Sequence, residues 1–138
     1  MRFTKEVETP RRSRQGDAGY DFYLPEDVVF KRGQKVTIDT GVAFDEGDIP
    51  DGCVMLLFPR SSLGSRYGLA FVNTVGVIDS QYRDTVKAPM HLLDPSVGWL
   101  RLEKGTRFMQ GVIVPFVTIP NEIPPTEERK GGFGSTGV

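Results

Sequence analysis

Apolar residues in this chain fall into short runs, each cut off by Gly, Pro or Asp after a few positions. Read as strands, they predict extended segments at 21–24, 28–30, 36–38, 42–44, 53–58, 69–71, 75–78, 85–88, 99–102, 108–114 and 116–119. The longest stretch free of both Gly and Pro is 77–88, so there is no room for several helices of the usual length of about 11 to 12 residues. A helical bundle and a doubly wound α/β fold are both disfavoured. The side chains agree: 21 Val and Ile stand against 13 Ala and Leu, and β-branched residues suit a pleated strand better than a helix. Many short strands separated by turn signals read as a sandwich or barrel, and the expected fold class is all-β.

Length and composition add boundaries. The 138 residues are enough for one domain with an ordinary core. Residues 121–128 (NEIPPTEE) are polar and broken by proline, and 131–137 (GGFGSTG) hold four glycines in seven. A barrel over 1–120 and a flexible C-terminal arm over 121–138 are therefore expected. A net charge of −1 gives no global positive field for a nucleic-acid backbone, so an anion must be met locally. One cysteine, Cys53, excludes an internal disulfide and a multi-cysteine zinc site and fits the reducing cytoplasm. Within its apolar run it reads as a buried, inert thiol. The longest apolar run, 53–58, is far short of the ~20 residues that span a bilayer, and no signal peptide is visible, so no membrane association is expected. His91 is the single histidine, which excludes two-histidine metal sites and reads as a surface or structural residue.

Three segments carry candidate chemistry. Residues 59–68, PRSSLGSRYG, follow a buried-looking strand. Their N–H groups, hydroxyls and guanidinium groups suit either a phosphate chain or a polar surface turn. Residues 73–82, NTVGVIDSQY, put Asp79 at the end of an apolar run and three residues before Tyr82. This is a turn, or a hairpin in which Asn73 shows a base both donor and acceptor while Tyr82 offers a flat face to a sugar. Residues 129–137, RKGGFGSTG, place a cation, a phenyl ring and two hydroxyls on a glycine backbone, as a disordered end or as a segment that orders over a ligand.

Taken together and in order, these segments resemble the trimeric dUTPase (deoxyuridine triphosphatase) family over nearly the whole chain. DAGYDFYLPED at 17–27 is similar to the first family motif, PRSSLGSRYG at 59–68 to the second, NTVGVIDSQY at 73–82 to the third, KGTRFMQ at 104–110 to the fourth and RKGGFGSTG at 129–137 to the fifth. Three positions depart from the commoner pattern: Arg66 where lysine is usual, Asp84 where glycine is usual, and a shorter spacing between Arg129 and the Gly132-Phe133 pair. Lys130 stands beside Arg129 as a second candidate for the γ-phosphate.

The resemblance implies a jelly-roll-like β-barrel assembled as a homotrimer, each site drawing on three chains, with the arm closing over a neighbour's site. It implies cleavage of dUTP to dUMP and pyrophosphate, which keeps uracil out of DNA. Asp79 would deprotonate the attacking water, with Ser61 and Gln110 completing the catalytic set. Asn73 would bind uracil, Val77 would contact the substrate, and Tyr82 would stack under the deoxyribose and exclude a 2′-hydroxyl. Ser61, Ser62 and Gly64 would hold the phosphates, with Arg60 bracing the loop and Gln110 bonding the phosphate or its water. Asp21 would hold waters of a Mg²⁺ cofactor, while Arg129, Phe133, Gly134, Ser135 and Thr136 would close over the nucleotide. The reaction itself asks for alignment and charge neutralisation more than covalent catalysis, and an aspartate suffices as base.

Two rivals weigh differently. A dCTP deaminase shares the fold and the RSSL loop but needs a glutamate in the strand after the hairpin, which here reads TVKAPM. A non-catalytic binding module would not need Asp79, Tyr82, Gln110 and the tail glycines together. A regulatory protein partner in addition to catalysis is left open by the sequence.

Overall fold

The computed structural model describes residues 1–127. Along these the chain forms β1 (Arg2–Phe3), β2 (Tyr20–Tyr23), β3 (Val28–Lys31), β4 (Val36–Asp39), β5 (Val42–Ala43), β6 (Cys53–Pro59), α1 (Ser61–Tyr67), β7 (Leu69–Phe71), β8 (Gly76–Asp79), β9 (Lys87–Leu92), β10 (Trp99–Leu102) and β11 (Arg107–Pro115). Every strand pairing is antiparallel. The sheets run β2-β11-β6-β8, β4-β9-β7, β3-β10 and β1-β5. The crossovers between non-consecutive strands close them into a jelly-roll-like barrel around one continuous core. Phe22, Phe30, Leu57, Val86, Met90, Phe108 and Met109 are fully buried there. β8, β9 and β10 alternate between buried and more exposed residues, which is the period-two pattern of a strand with one face on the core.

The all-β, single-domain expectation is met, and most strands lie within a residue or two of their expected places. Five local features differ, one of them the unexpected short strand β1, Arg2–Phe3, paired with β5. The segment at 59–68 contains a helix rather than a loop: Leu63 buries itself and anchors α1, and Gly68 ends it in the left-handed conformation at φ 66°, its N–H returning to Leu63 O and Gly64 O. The strand expected at 85–88 is β9, displaced toward the C-terminus, because Pro89 is accommodated inside it: the Pro89 carbonyl accepts the Val72 N–H at 2.8 Å. The strand expected at 116–119 does not form. Pro115 pairs with Cys53, Phe116 N–H donates to Gly52 O, and there the partner strand ends, so the following apolar residues pair with no strand among the described residues. Cys53 is half-buried at the start of β6 rather than fully buried.

Candidate active site

The four-stranded sheet brings the site together. Asp21 on β2 lies directly opposite Gln110 on β11, and Gln110 lies opposite Phe58 on β6, so the three side chains share one face. One residue beyond Pro59, the Arg60 N–H donates to Phe108 O, which ties the start of α1 to β11. A polar cleft of about 430 Å³ opens there, lined by Ser13, Arg14, Asp17, Gly19, Asp21, Arg60, Ser61, Arg107 and Gln110 among others.

Asp21 is the hub of this cleft and is only 7% exposed. Its carboxylate accepts from Ser13 Oγ at 3.0 Å and stands 3.5 Å from both Arg60 Nε and Arg107 Nη1. Arg107 also donates to Ser13 Oγ at 3.1 Å. Two flanking guanidinium groups compensate a carboxylate that burial alone would make costly. Arg107 reaches Asp21 because the register of β11 shifts between Arg107 and Met109. In a regular strand Arg107 and Gln110, three positions apart, would point to opposite faces; the bulge puts both on the Asp21 side. Gly19 completes the arrangement: a Cβ at this position would lie 2.4 Å from Gln110 Oε1, so the carboxamide rests in the space that glycine leaves.

Of the residues expected from the sequence, Asp21, Arg60, Ser61 and Gln110 converge in this cleft. Ser62 and Gly64 follow on the first turns of α1, a helix without a side-chain cap and without an acidic residue in its first turn. Asn73, Val77, Asp79 and Tyr82 lie elsewhere, on and around β8. The β7–β8 connection turns tightly, with Thr74 at φ 71° and Val75 N–H donating to Asn73 O. Asn73, Val77 and Asp79 are exposed. Tyr82 is 5% exposed, and its hydroxyl donates to Thr85 O at 2.8 Å.

Registers place the two groups relative to each other. Asp79 on β8 pairs with Val54 of β6, four residues from Phe58, and Phe58 faces Gln110 on the adjacent β11, so Gln110 is two strands from Asp79. That separation is about 13 Å along the strands and about 10 Å across them, or about 16 Å in all, on one face of the sheet. Between them this face carries Val54, Leu56, Phe58, Val77, Val112 and Val114, none of them buried. Arg129, Phe133, Gly134, Ser135 and Thr136, with Lys130, lie outside the described residues. Ser13, Arg14 and Arg107 were not singled out by the sequence reading; Ser13 and Arg14 precede the first motif, and the orientation of Arg107 depends on the bulge.

Among the described residues no three His, Cys, Asp or Glu side chains converge to cage a metal ion. The cleft does suit an outer-sphere role toward Mg²⁺, which keeps several waters and takes its remaining ligands from one or two carboxylates and substrate phosphates. Asp21 Oδ1, whose contact here is Arg60 Nε at 3.5 Å, has acceptor capacity left for such a water.

The sheet face of this all-β domain carries an arginine-braced carboxylate, a serine at the start of a helix and a carboxamide, donors and acceptors of the kind that meet phosphate oxygens. The dUTPase family model matches residues 5–137, and the chain belongs to that family. A deoxyuridine 5′-triphosphate nucleotidohydrolase of Thermobifida fusca is 38% identical over 99% of this chain and 76% of its own length. One of Cutibacterium acnes is 38% identical over 94% of this chain and 85% of its own. Among solved structures, the dUTPase of Staphylococcus bacteriophage 80alpha with dUpNHpp aligns at a TM-score of 0.74 and 31% identity, covering all of this chain and 96% of that one. A point mutant of the dUTPase from phage phi11 of S. aureus, described with a structural Mg(II) ion, aligns at a TM-score of 0.74 and 29% identity over 92% of this chain and 95% of that one.

Proposed function

We propose that this protein is a dUTP diphosphatase of the cytoplasm that hydrolyses dUTP to dUMP and pyrophosphate and thereby keeps uracil out of DNA. The observation that carries the reading is the division of the site: a phosphate-handling cleft and an exposed Asp79 on one sheet face, about 16 Å apart. Bond formation at phosphorus needs water, base and phosphate within about 3 Å of one another. The separation within one chain supports an assembly in which copies related by a closed symmetry bring Asp79 of one to the cleft of another. The unburied apolar stripe between the two, Val54, Leu56, Phe58, Val77, Val112 and Val114, supports the same assembly, and a homotrimer is the form proposed.

In that assembly Asp79 takes a proton from water as its oxygen bonds to the α-phosphorus, and the bridging P–O bond to the β-phosphate breaks to release pyrophosphate. Ser61 and Ser62 donate to the phosphates, Gly64 lets the start of α1 approach them, Arg60 is held by Asp21, and Gln110 donates to a phosphate oxygen or orients the water. Bound Mg²⁺ would neutralise charge on the triphosphate, and Asp21 would hold one of its waters. Asn73 is proposed to read uracil from the β7–β8 turn, beside Val77, and Tyr82 to leave no room for a 2′-hydroxyl. Arg129, Phe133, Gly134, Ser135 and Thr136 belong to the proposed closing arm.

The test is a panel of dUTP, dTTP, dCTP and UTP with pyrophosphate detection, run on the parent chain and on Asp79→Asn. The expected result is turnover selective for dUTP, with kcat reduced about 10²- to 10⁴-fold in Asp79→Asn while dUTP still binds. Ammonia release from dCTP, or near-parental kcat in Asp79→Asn, overturns the assignment.

A further inference from the structure

Resting on the dUTP reading, we propose that Arg14 is a substrate-binding residue that recognises the β,γ-phosphate end of the triphosphate. Among the described residues the cleft contains three guanidinium groups, and two of them are already engaged: Arg60 and Arg107 both face the Asp21 carboxylate at 3.5 Å. Arg14 is the third, exposed at the cleft, and among the described residues its guanidinium has no carboxylate, carbonyl or ring partner. Its backbone, by contrast, is fixed from both sides. The Arg14 N–H donates to Asp17 Oδ2 at 3.1 Å, and the Asp17 N–H returns to Arg14 O at 3.2 Å. Arg12 Nη1 donates to Gln15 O at 2.6 Å and to Asp17 O at 3.2 Å, while Ser13 is held down on Asp21.

Such a turn has no need of an arginine at position 14, because its bonds use the main chain there. What the side chain adds is a cation with unused donors, projected from a rigid base beside Ser61 and Gln110. A triphosphate carries close to four negative charges near neutral pH, more than one divalent ion offsets, and its terminal phosphates have paired oxygens that a planar guanidinium fork matches. The chain as a whole has a net charge of −1 and supplies no general attraction, so the remaining compensation has to come from individual cations at the cleft.

Steady-state kinetics on the full-length protein test this. In Arg14→Ala, KM for dUTP should rise about tenfold with at most a twofold loss of kcat, since a charged hydrogen bond made equally in ground and transition states acts on binding. Competitive inhibition by dUMP, which lacks the β- and γ-phosphates, should stay within twofold of the parent; Arg14→Lys should recover part of the KM. If the parent turns over dUTP and Arg14→Ala keeps its KM within twofold, the Arg14 assignment fails alone. If dUMP inhibition weakens as much as dUTP binding, Arg14 shapes the loop and does not bind the phosphates, which also overturns it. If the parent does not turn over dUTP, the reading beneath the proposal fails instead.

Discussion

At the scale of single residues, the cleft depends on a side chain that is missing. Gly19 is not at a positive φ, so no left-handed backbone requires it. What requires it is Gln110, whose Oε1 occupies the position a methyl group would take. Gly19→Ala should therefore displace the carboxamide and lower kcat/KM about 10²-fold, the scale at which misplacement by an ångström is felt. In a Gln110→Ala background the same substitution should cost far less, because Oε1 is gone and the contact that remains is with the Cβ at 3.3 Å. Measuring kcat/KM for the parent, both single variants and the double variant decides this: equal losses in both backgrounds would mean that Gly19 acts on the fold and not through Gln110.

Elements hold the site by their ends. The turn before β11 is pinned by Asp27, which accepts the Lys104 N–H at 2.7 Å and Arg101 Nη2 at 2.8 Å. The Lys104 N–H, with the Arg101 cation, holds its carboxyl below the ordinary value of 3.8. A carboxyl depressed in the folded state stabilises it above that ordinary value and loses the contribution as pH falls through the lowered one. The Tm of Asp27→Asn should thus lie below that of the parent at about pH 6, and the gap should close as pH falls below the ordinary value and through the lowered one. A gap of constant size across that range would show that ionisation of Asp27 is not what ties the turn. How far such elements were legible in the sequence depends on the interaction that makes them. Leu69–Phe71 and Trp99–Leu102 were readable because their own apolar residues and flanking turn signals define them. The helix at Ser61–Tyr67 was not, because serines and Gly64 argue against it locally and the burial of Leu63 decides otherwise. Asp21, Arg60, Ser61 and Gln110 could be named from their motifs, whereas Arg107 could not, since a bulge at Phe108 changes which face it points to and leaves no mark in the residue types.

At the scale of the whole molecule, the sheet holds Asp79 and the cleft apart, and the proposed trimer is what would join them. Chains carrying Asp79→Asn and chains carrying Gln110→Ala should each be nearly inactive. Unfolded together in equal amounts and refolded as random trimers, about three quarters of the assemblies would be mixed, each with one intact site of three, so about a quarter of parental activity should return. No recovery, with mixed trimers verified by mass, would mean that Asp79 and Gln110 of each site come from one chain. The separation of about 16 Å between them has a further consequence for dosage. In the proposed trimer a newly folded chain would be inert as a catalyst until it meets others, so near the assembly threshold activity would rise more steeply than protein level. Halving the supply of chains there would remove more than half of the turnover, and the sheet face that separates the proposed base from the proposed phosphate cleft would thereby act as a threshold device.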